Sequence, residues 1–202
     1  MIPKPDTEVL VERAMELIIQ AARPLRILDM CTGSGCIGLS VMKTLYALEK
    51  VPVENLPQLT LVDISEPALA ISKKNASALL PDADILQKIT FIQSDLFEKV
   101  DGEFDFILTN PPYIPSAMVD ELLKDGRGEP RLALDGDVDG TSLIKKLLTQ
   151  SCKHLAQNGT ILMETGEYNA QTTADFAQKA GFATEIHRDL EGQLRVVEMQ
   201  YE

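Results

Sequence analysis

Tryptophan is absent from this 202-residue chain, aromatic residues make up 5% of it, and histidine occurs only at His154 and His187. The three cysteines, Cys31, Cys36 and Cys152, form no CxxC pair, and with so few histidines no zinc-ligand spacing arises. Neither a disulfide framework nor a metal is implied, and the cysteines read as reduced, packed thiols. Basic residues are also in deficit, with 19 Lys and Arg against 31 Asp and Glu and a net charge of −12. A protein that grips a nucleic-acid backbone usually presents a basic face, so this balance argues against direct nucleic-acid binding and for a basic protein partner. No apolar run approaches the roughly 20 residues of a membrane-spanning helix. Residues 1–12 are acidic and proline-rich, unlike a basic leader followed by an apolar stretch. The expectation is a cytoplasmic protein without membrane contact.

With 45% apolar residues, the chain can form a core without metals or disulfides, and one domain over residues 1–202 is expected. Short β-rich runs alternate with amphipathic segments of helical length, the pattern of βαβ crossovers on a parallel sheet. Strands are expected over residues 25–30, 59–63, 89–93, 104–109 and 160–164, and helices over 37–48, 67–79 and 142–155. A further helix starting near Tyr168 should stop at Gly181. Two β-like runs, 182–188 and 194–201, are close enough to pair as an antiparallel hairpin at the sheet edge. The expected class is α/β and Rossmann-like, with a mostly parallel seven-stranded sheet ending in that hairpin. Residues 113–140, dense in Gly, Pro and Asp and directly after a strand, read as a long loop on the substrate side.

Four motifs fall where strands end. Asp29-Met30-Cys31-Thr32-Gly33-Ser34-Gly35 joins a strand to a helix; its glycines suit either a plain turn or a loop that lets the backbone approach a ligand. Asp63, 28 residues past Gly35, closes the next strand, where a carboxylate can accept from both ribose hydroxyls. It could instead cap the following helix, although Ser65 suits that task. Asp95 and Leu96, after the third strand, could meet an adenine amino group and ring nitrogen, or simply form a polar turn. Finally comes Asn110-Pro111-Pro112-Tyr113. The prolines remove two N–H donors and stiffen the backbone, so neighbouring carbonyls stand as acceptors in a fixed frame. Asn110 Oδ1 and the Pro111 carbonyl could then bind the two hydrogens of a planar amide or exocyclic amine, with Tyr113 stacked over it. A bare Pro-Pro turn is a common structural feature, but Asn before it, Tyr after it and three cofactor-type corners upstream favour the chemical reading.

Together these residues resemble the release-factor-specific protein-glutamine N5-methyltransferases of the HemK/PrmC type. The likeness runs nearly end to end: Ile2-Pro3-Lys4-Pro5-Asp6-Thr7-Glu8, Glu129-Pro130, Ala133-Leu134-Asp135-Gly136 with Asp139-Gly140, Glu164-Thr165-Gly166 and Arg195-Val196-Val197. It implies the class I S-adenosylmethionine-dependent methyltransferase fold, with S-adenosyl-L-methionine as cofactor and S-adenosyl-L-homocysteine as product. The implied partner is a peptide-chain release factor, methylated on the glutamine of its Gly-Gly-Gln motif. By the resemblance, Cys31, Thr32, Gly33, Ser34 and Gly35, with Asp29, form the methionine-side loop; Asp63 is the ribose acid, Asp95 and Leu96 lie at the adenine, and Asn110 to Tyr113 hold the glutamine. Cys31 stands where many relatives have glycine. The family's helical amino-terminal domain is expected to be absent, leaving one catalytic domain.

Asn-Pro-Pro-Tyr is shared with adenine and guanine amino methyltransferases, so methylation of a nucleic-acid base, or of a ribosomal-protein glutamine, stands as the alternative. The acidic balance and the lack of Lys or Arg runs weigh against the nucleic acid. A nicotinamide oxidoreductase would want a fuller glycine fingerprint and a proton relay, and neither is present.

Overall fold

Four strands of the sheet are so apolar that they can only lie between two layers. In β1 (Arg26–Met30) every residue after Arg26 is buried; β4 (Phe104–Thr109) is buried from Phe106 onward and β5 (Leu155–Glu164) from Gly159 onward, while β2 (Gln58–Asp63) buries Leu59, Leu61 and Val62. Strands covered on both faces read this way because side chains on either face of their central part are kept from water. The computed structural model describes residues 6–21, 23–48, 52–80, 82–124 and 128–201. It contains a seven-stranded sheet in the order β3-β2-β1-β4-β5-β7-β6, where β3 is Ile89–Gln93, β6 Phe182–Arg188 and β7 Leu194–Tyr201. β1 to β5 pair in parallel, whereas β7 runs antiparallel to both β5 and β6, as expected for the terminal hairpin.

Helices cover both faces. α1 (Asp6–Ala21), α2 (Cys36–Ala47) and α3 (Glu66–Leu79) pack on one side, through residues such as Leu10, Ala14, Leu39, Met42 and Ala76. α6 (Ser142–Ser151) and α7 (Glu167–Lys179) cover the other through Ile144, Leu147, Leu148, Ala170 and Ala174. Two short helices, α4 (Ala83–Leu86) and α5 (Ser116–Lys124), lie on the connections. From β1 the chain winds outward to β2 and β3, then returns to place β4 on the other side of β1. Open α/β sheets bind ligands at such a switch point, outside the carboxyl ends of the strands.

The structure corrects three expectations. Residues 6–21, which overlap the acidic, proline-rich 1–12 segment and for which no helix is expected from the sequence, form α1, whose Leu10, Ala14, Met15 and Ile18 are buried at helical spacing. Arg13 then ties α1 to β7, donating to the Glu198 carboxylate at 2.7 and 3.2 Å. The Ile2-Pro3-Lys4-Pro5 segment lies outside the described residues. α6 ends at Ser151 rather than 155, because Leu155 pairs with Phe104 and starts β5 well before Thr160. Residues 113–140 are not a bare loop. They contain α5 with Val119 fully buried and a short 3₁₀ turn, Arg131–Ala133, and the return strand bonds back to the outgoing one. There Ile114 N–H donates to the Leu134 carbonyl and Gly136 N–H to that of Ile114, each at 2.9 Å.

Candidate active site

β1 runs into a turn that only left-handed backbone can make. Cys31, Gly33 and Gly35 have φ of 59°, 57° and 80°. A Cβ on Gly35 would stand 2.5 Å from Ser72 Oγ and 2.7 Å from Leu39 Cδ1, so glycine is demanded there twice over. Cys31 is the non-glycine residue of the three, held at a left-handed φ that L side chains rarely adopt. Burial, helped by the Asp63 and Asp29 carboxylates, pushes its thiol up to about 12, so it stays neutral.

Asp29 and Thr32 lie behind this turn rather than on the surface it presents. Asp29 is fully buried; its Oδ2 accepts from Thr32 Oγ1 at 2.7 Å and from Gly38 N–H at 2.9 Å. Burial raises this carboxyl to about 7, against the pull of those two bonds. Its Oδ1 has no partner among the described residues. The pair therefore braces the loop between the end of β1 and the start of α2.

Asp63, at the end of β2, faces forward. Its Oδ2 accepts from Gly33 N–H at 2.8 Å and its Oδ1 from Ser65 N–H at 2.9 Å. Ser65, not Asp63, caps α3 by accepting from Ala68 N–H at 3.3 Å. Each Asp63 oxygen thus retains a lone-pair site beyond its backbone donor. At the end of β3, Leu96 is buried with φ 46°, and Asp95 is engaged by Lys146 of α6 at 3.1 and 3.2 Å. Nothing in the sequence pointed to Lys146, which lies 51 residues from its partner.

These strand ends surround a cavity of about 370 Å³ lined by Cys31, Gly33, Ser34, Asp63, Asp95 and Leu96. Ile64, Ile71 and Leu143 give it apolar walls, and Asn110 and Pro112 close it on the acceptor side. That size lies within the range of small-molecule and cofactor sites. A glycine turn open at Gly33, the Asp63 carboxylate and the apolar walls make a donor set and a size that suit S-adenosylmethionine.

Asn110 to Tyr113 leave β4 with Pro111 buried and the other three half-buried. Asn110 and Pro112 also line a second, narrow pocket of about 20 Å³, together with Pro111, Tyr113, Glu129 and Glu164. Asn110 and Pro112 of the turn, with Glu129 and Ala133 of the returning segment, therefore line both spaces. Glu164, 1% exposed at the end of β5, and Glu129 were noticed in the sequence only as parts of a likeness. Their place beside the turn follows from the β4–β5 pairing and from the returning 128–140 segment.

Sheet order and hairpin together are those of the class I S-adenosylmethionine-dependent methyltransferases. A solved structure titled ribosomal protein L11 methylase, from Lactobacillus delbrueckii subsp. bulgaricus, matches with a TM-score of 0.63 and 18% identity, covering 98% of this chain and 78% of that one. The methyltransferase small domain family matches residues 6–125, and the chain belongs to that family. Curated relatives include the release factor glutamine methyltransferase of Rhodopirellula baltica, 37% identical over 99% of this chain and 66% of the relative. Another, of the same name, from Flavobacterium psychrophilum, is 33% identical over 100% of this chain and 68% of the relative. The chain spans less than two thirds of the length of most of the curated relatives it matches, with shares from 41% to 68%. Among the described residues no helix is long and apolar enough to cross a membrane.

Proposed function

We propose that this chain transfers a methyl group from S-adenosyl-L-methionine to the side-chain amide nitrogen of a protein glutamine, that of the Gly-Gly-Gln motif in a peptide-chain release factor. The observation that carries the reading is the Asn110-Pro111-Pro112-Tyr113 turn standing between a cofactor-sized cavity and a narrow second pocket. Names of the curated relatives support the choice of glutamine.

In this reading the Cys31 to Gly35 turn receives the methionine end, Asp63 accepts from the ribose hydroxyls, and Asp95 and Leu96 meet the adenine. Asp29 and Thr32 hold the turn from behind. Asn110 Oδ1 and the Pro111 carbonyl accept the two amide hydrogens and aim the remaining face of the nitrogen at the cavity. Tyr113 flanks the planar amide. The bound sulfonium supplies an electrophilic methyl group: its S–C bond breaks as the N–C bond forms, leaving S-adenosyl-L-homocysteine.

An amide nitrogen is a weak nucleophile because its lone pair is shared with its carbonyl. The two fixed acceptors orient it and favour the positive charge that develops on it, so the rate gain is mostly positioning and preorganised electrostatics. No base is needed beforehand, because the methylated nitrogen is acidic and then loses a proton to water. The proposal treats residues 1–202 as one catalytic unit in the cytoplasm, with no direct nucleic-acid contact; the net charge of −12 supports the last point. Incubation with labelled S-adenosylmethionine and, in turn, release factor, a ribosomal protein with an exposed glutamine, RNA and DNA tests it. Label in release factor alone is expected, and label in nucleic acid alone would overturn it.

A further inference from the structure

Two consecutive prolines make the acceptor turn stiff, but they also remove the N–H donors by which a turn is ordinarily tied to its surroundings. The tie has to come from groups that donate to its carbonyls. Asn169, in the first turn of α7 and 4% exposed, is placed to do this. Its Nδ2 donates to the Tyr113 carbonyl at 2.8 Å and reaches the Gly140 carbonyl at 3.4 Å. One amide nitrogen thus links the end of the Asn-Pro-Pro-Tyr turn to the returning 128–140 segment, from a position 56 residues along the chain.

The surrounding backbone leaves Tyr113 little room to move. A Cβ on Gly140 would come within 2.3 Å of the Tyr113 carbonyl oxygen, and one on Gly136 within 2.8 Å of its Cα. On the ring side, a Cβ on Gly166, which precedes α7, would meet Tyr113 Cδ2 at 3.2 Å. Asn169 is itself anchored, its N–H donating to the Gly166 carbonyl at 2.9 Å. α7 is packed by Ala170, Ala174 and Ala177 into the sheet core, so the anchor stands on a rigid element.

We infer that Asn169 is a positioning residue for methyl transfer: through the Tyr113 carbonyl it fixes the height and tilt of the turn, and hence where Asn110 Oδ1 and the Pro111 carbonyl stand. The inference rests on the function proposed above. Asn169 is not among the residues that line either pocket. A carboxamide is required because its NH2 can serve two carbonyls from one atom. An aspartate of the same shape would turn an oxygen towards them, and a leucine would offer nothing.

The test is Asn169→Asp and Asn169→Leu, assayed beside the wild type with release factor and S-adenosylmethionine, per folded and donor-bound molecule. Misplacing a reacting frame by about 1 Å costs up to about 100-fold in rate. Turnover is therefore expected to fall about 10- to 100-fold in both variants, with donor Kd within about 3-fold of wild type and acceptor KM less affected than kcat. Amide hydrogen exchange of Tyr113 and Ile114 should quicken in Asn169→Asp while that of Leu39 and Leu162, far from the clamp, stays slow. Near-normal turnover with unchanged exchange would overturn the inference, as would a loss that follows only the unfolded fraction. The exchange measurement needs no substrate: a wild type that methylates no glutamine would refute the proposed function, while the exchange result would still decide whether Asn169 holds the turn.

Discussion

Asp63→Ala removes both the acceptor for the Gly33 N–H, at 2.8 Å, and the acceptor for the Ser65 N–H, at 2.9 Å. It also removes the lone-pair sites that each carboxylate oxygen still offers to the cavity. A hydrogen bond to a charged group contributes about 1.5–3 kcal/mol, so losing the ribose contact should weaken S-adenosylmethionine binding by about 10- to 150-fold. Loss of the Gly33 tie adds to this, because that bond holds the middle of the glycine turn. Asp63→Asn separates charge from shape: it keeps one oxygen, but its NH2 then faces a backbone N–H on one side or the other. Its affinity should fall nearly as far as that of the alanine variant, with a smaller change in Tm. Isothermal calorimetry against S-adenosylmethionine and S-adenosylhomocysteine reads both. Unchanged Kd in folded Asp63→Ala would remove this carboxylate from the donor site and refute the reasoning.

Asn110→Ala deletes one of the two proposed acceptors, so single-turnover rates should drop about 100- to 1,000-fold while donor affinity and Tm stay near wild type; a variant that melts early yet turns over normally would make Asn110 a structural residue only. Gly35→Ala forces a Cβ to within 2.5 Å of Ser72 Oγ at a φ of 80°, and should lose about 1–3 kcal/mol in denaturant unfolding together with donor affinity. Burial holds the Asp29 carboxyl near 7 in the fold against an ordinary 3.8, so the fold favours its neutral form. This relative stability is present at low pH and is lost as pH rises from about 4 through about 7, an order-of-magnitude cost of about 4 kcal/mol. Tm against pH should therefore be flatter in Asp29→Asn than in wild type, and parallel curves would contradict it.

Strand positions were legible because buried parallel strands are continuous apolar runs, as at residues 104–109, and the terminal hairpin because only Asp189 to Gln193 separate its strands. α1 was missed although Leu10, Ala14 and Ile18 carry the helical period, since Pro3 and Pro5 dominate the start of that segment. α5 was hidden in a stretch whose glycines cluster after position 125 while its first half holds Met118, Val119, Leu122 and Leu123. The strand-end motifs are visible in the sequence because glycine, proline and a terminal carboxylate each answer a local backbone need. Which side chains face the cavity is not a local matter. Asp29 is the next-to-last residue of β1 and Asp63 the last of β2, yet Asp29 is sealed under the turn and Asp63 faces the cavity. The contacts of Lys146 with Asp95 and of Asn169 with Tyr113 exist only because distant segments pack together.

The most direct test is peptide mass spectrometry of a release factor incubated with this chain and S-adenosylmethionine carrying an isotopically labelled methyl group. A single labelled methyl on the glutamine of the Gly-Gly-Gln motif, strongly reduced with Asn110→Ala, is the predicted result. An unmodified glutamine, with the label found on another residue type or on nucleic acid, would contradict the account.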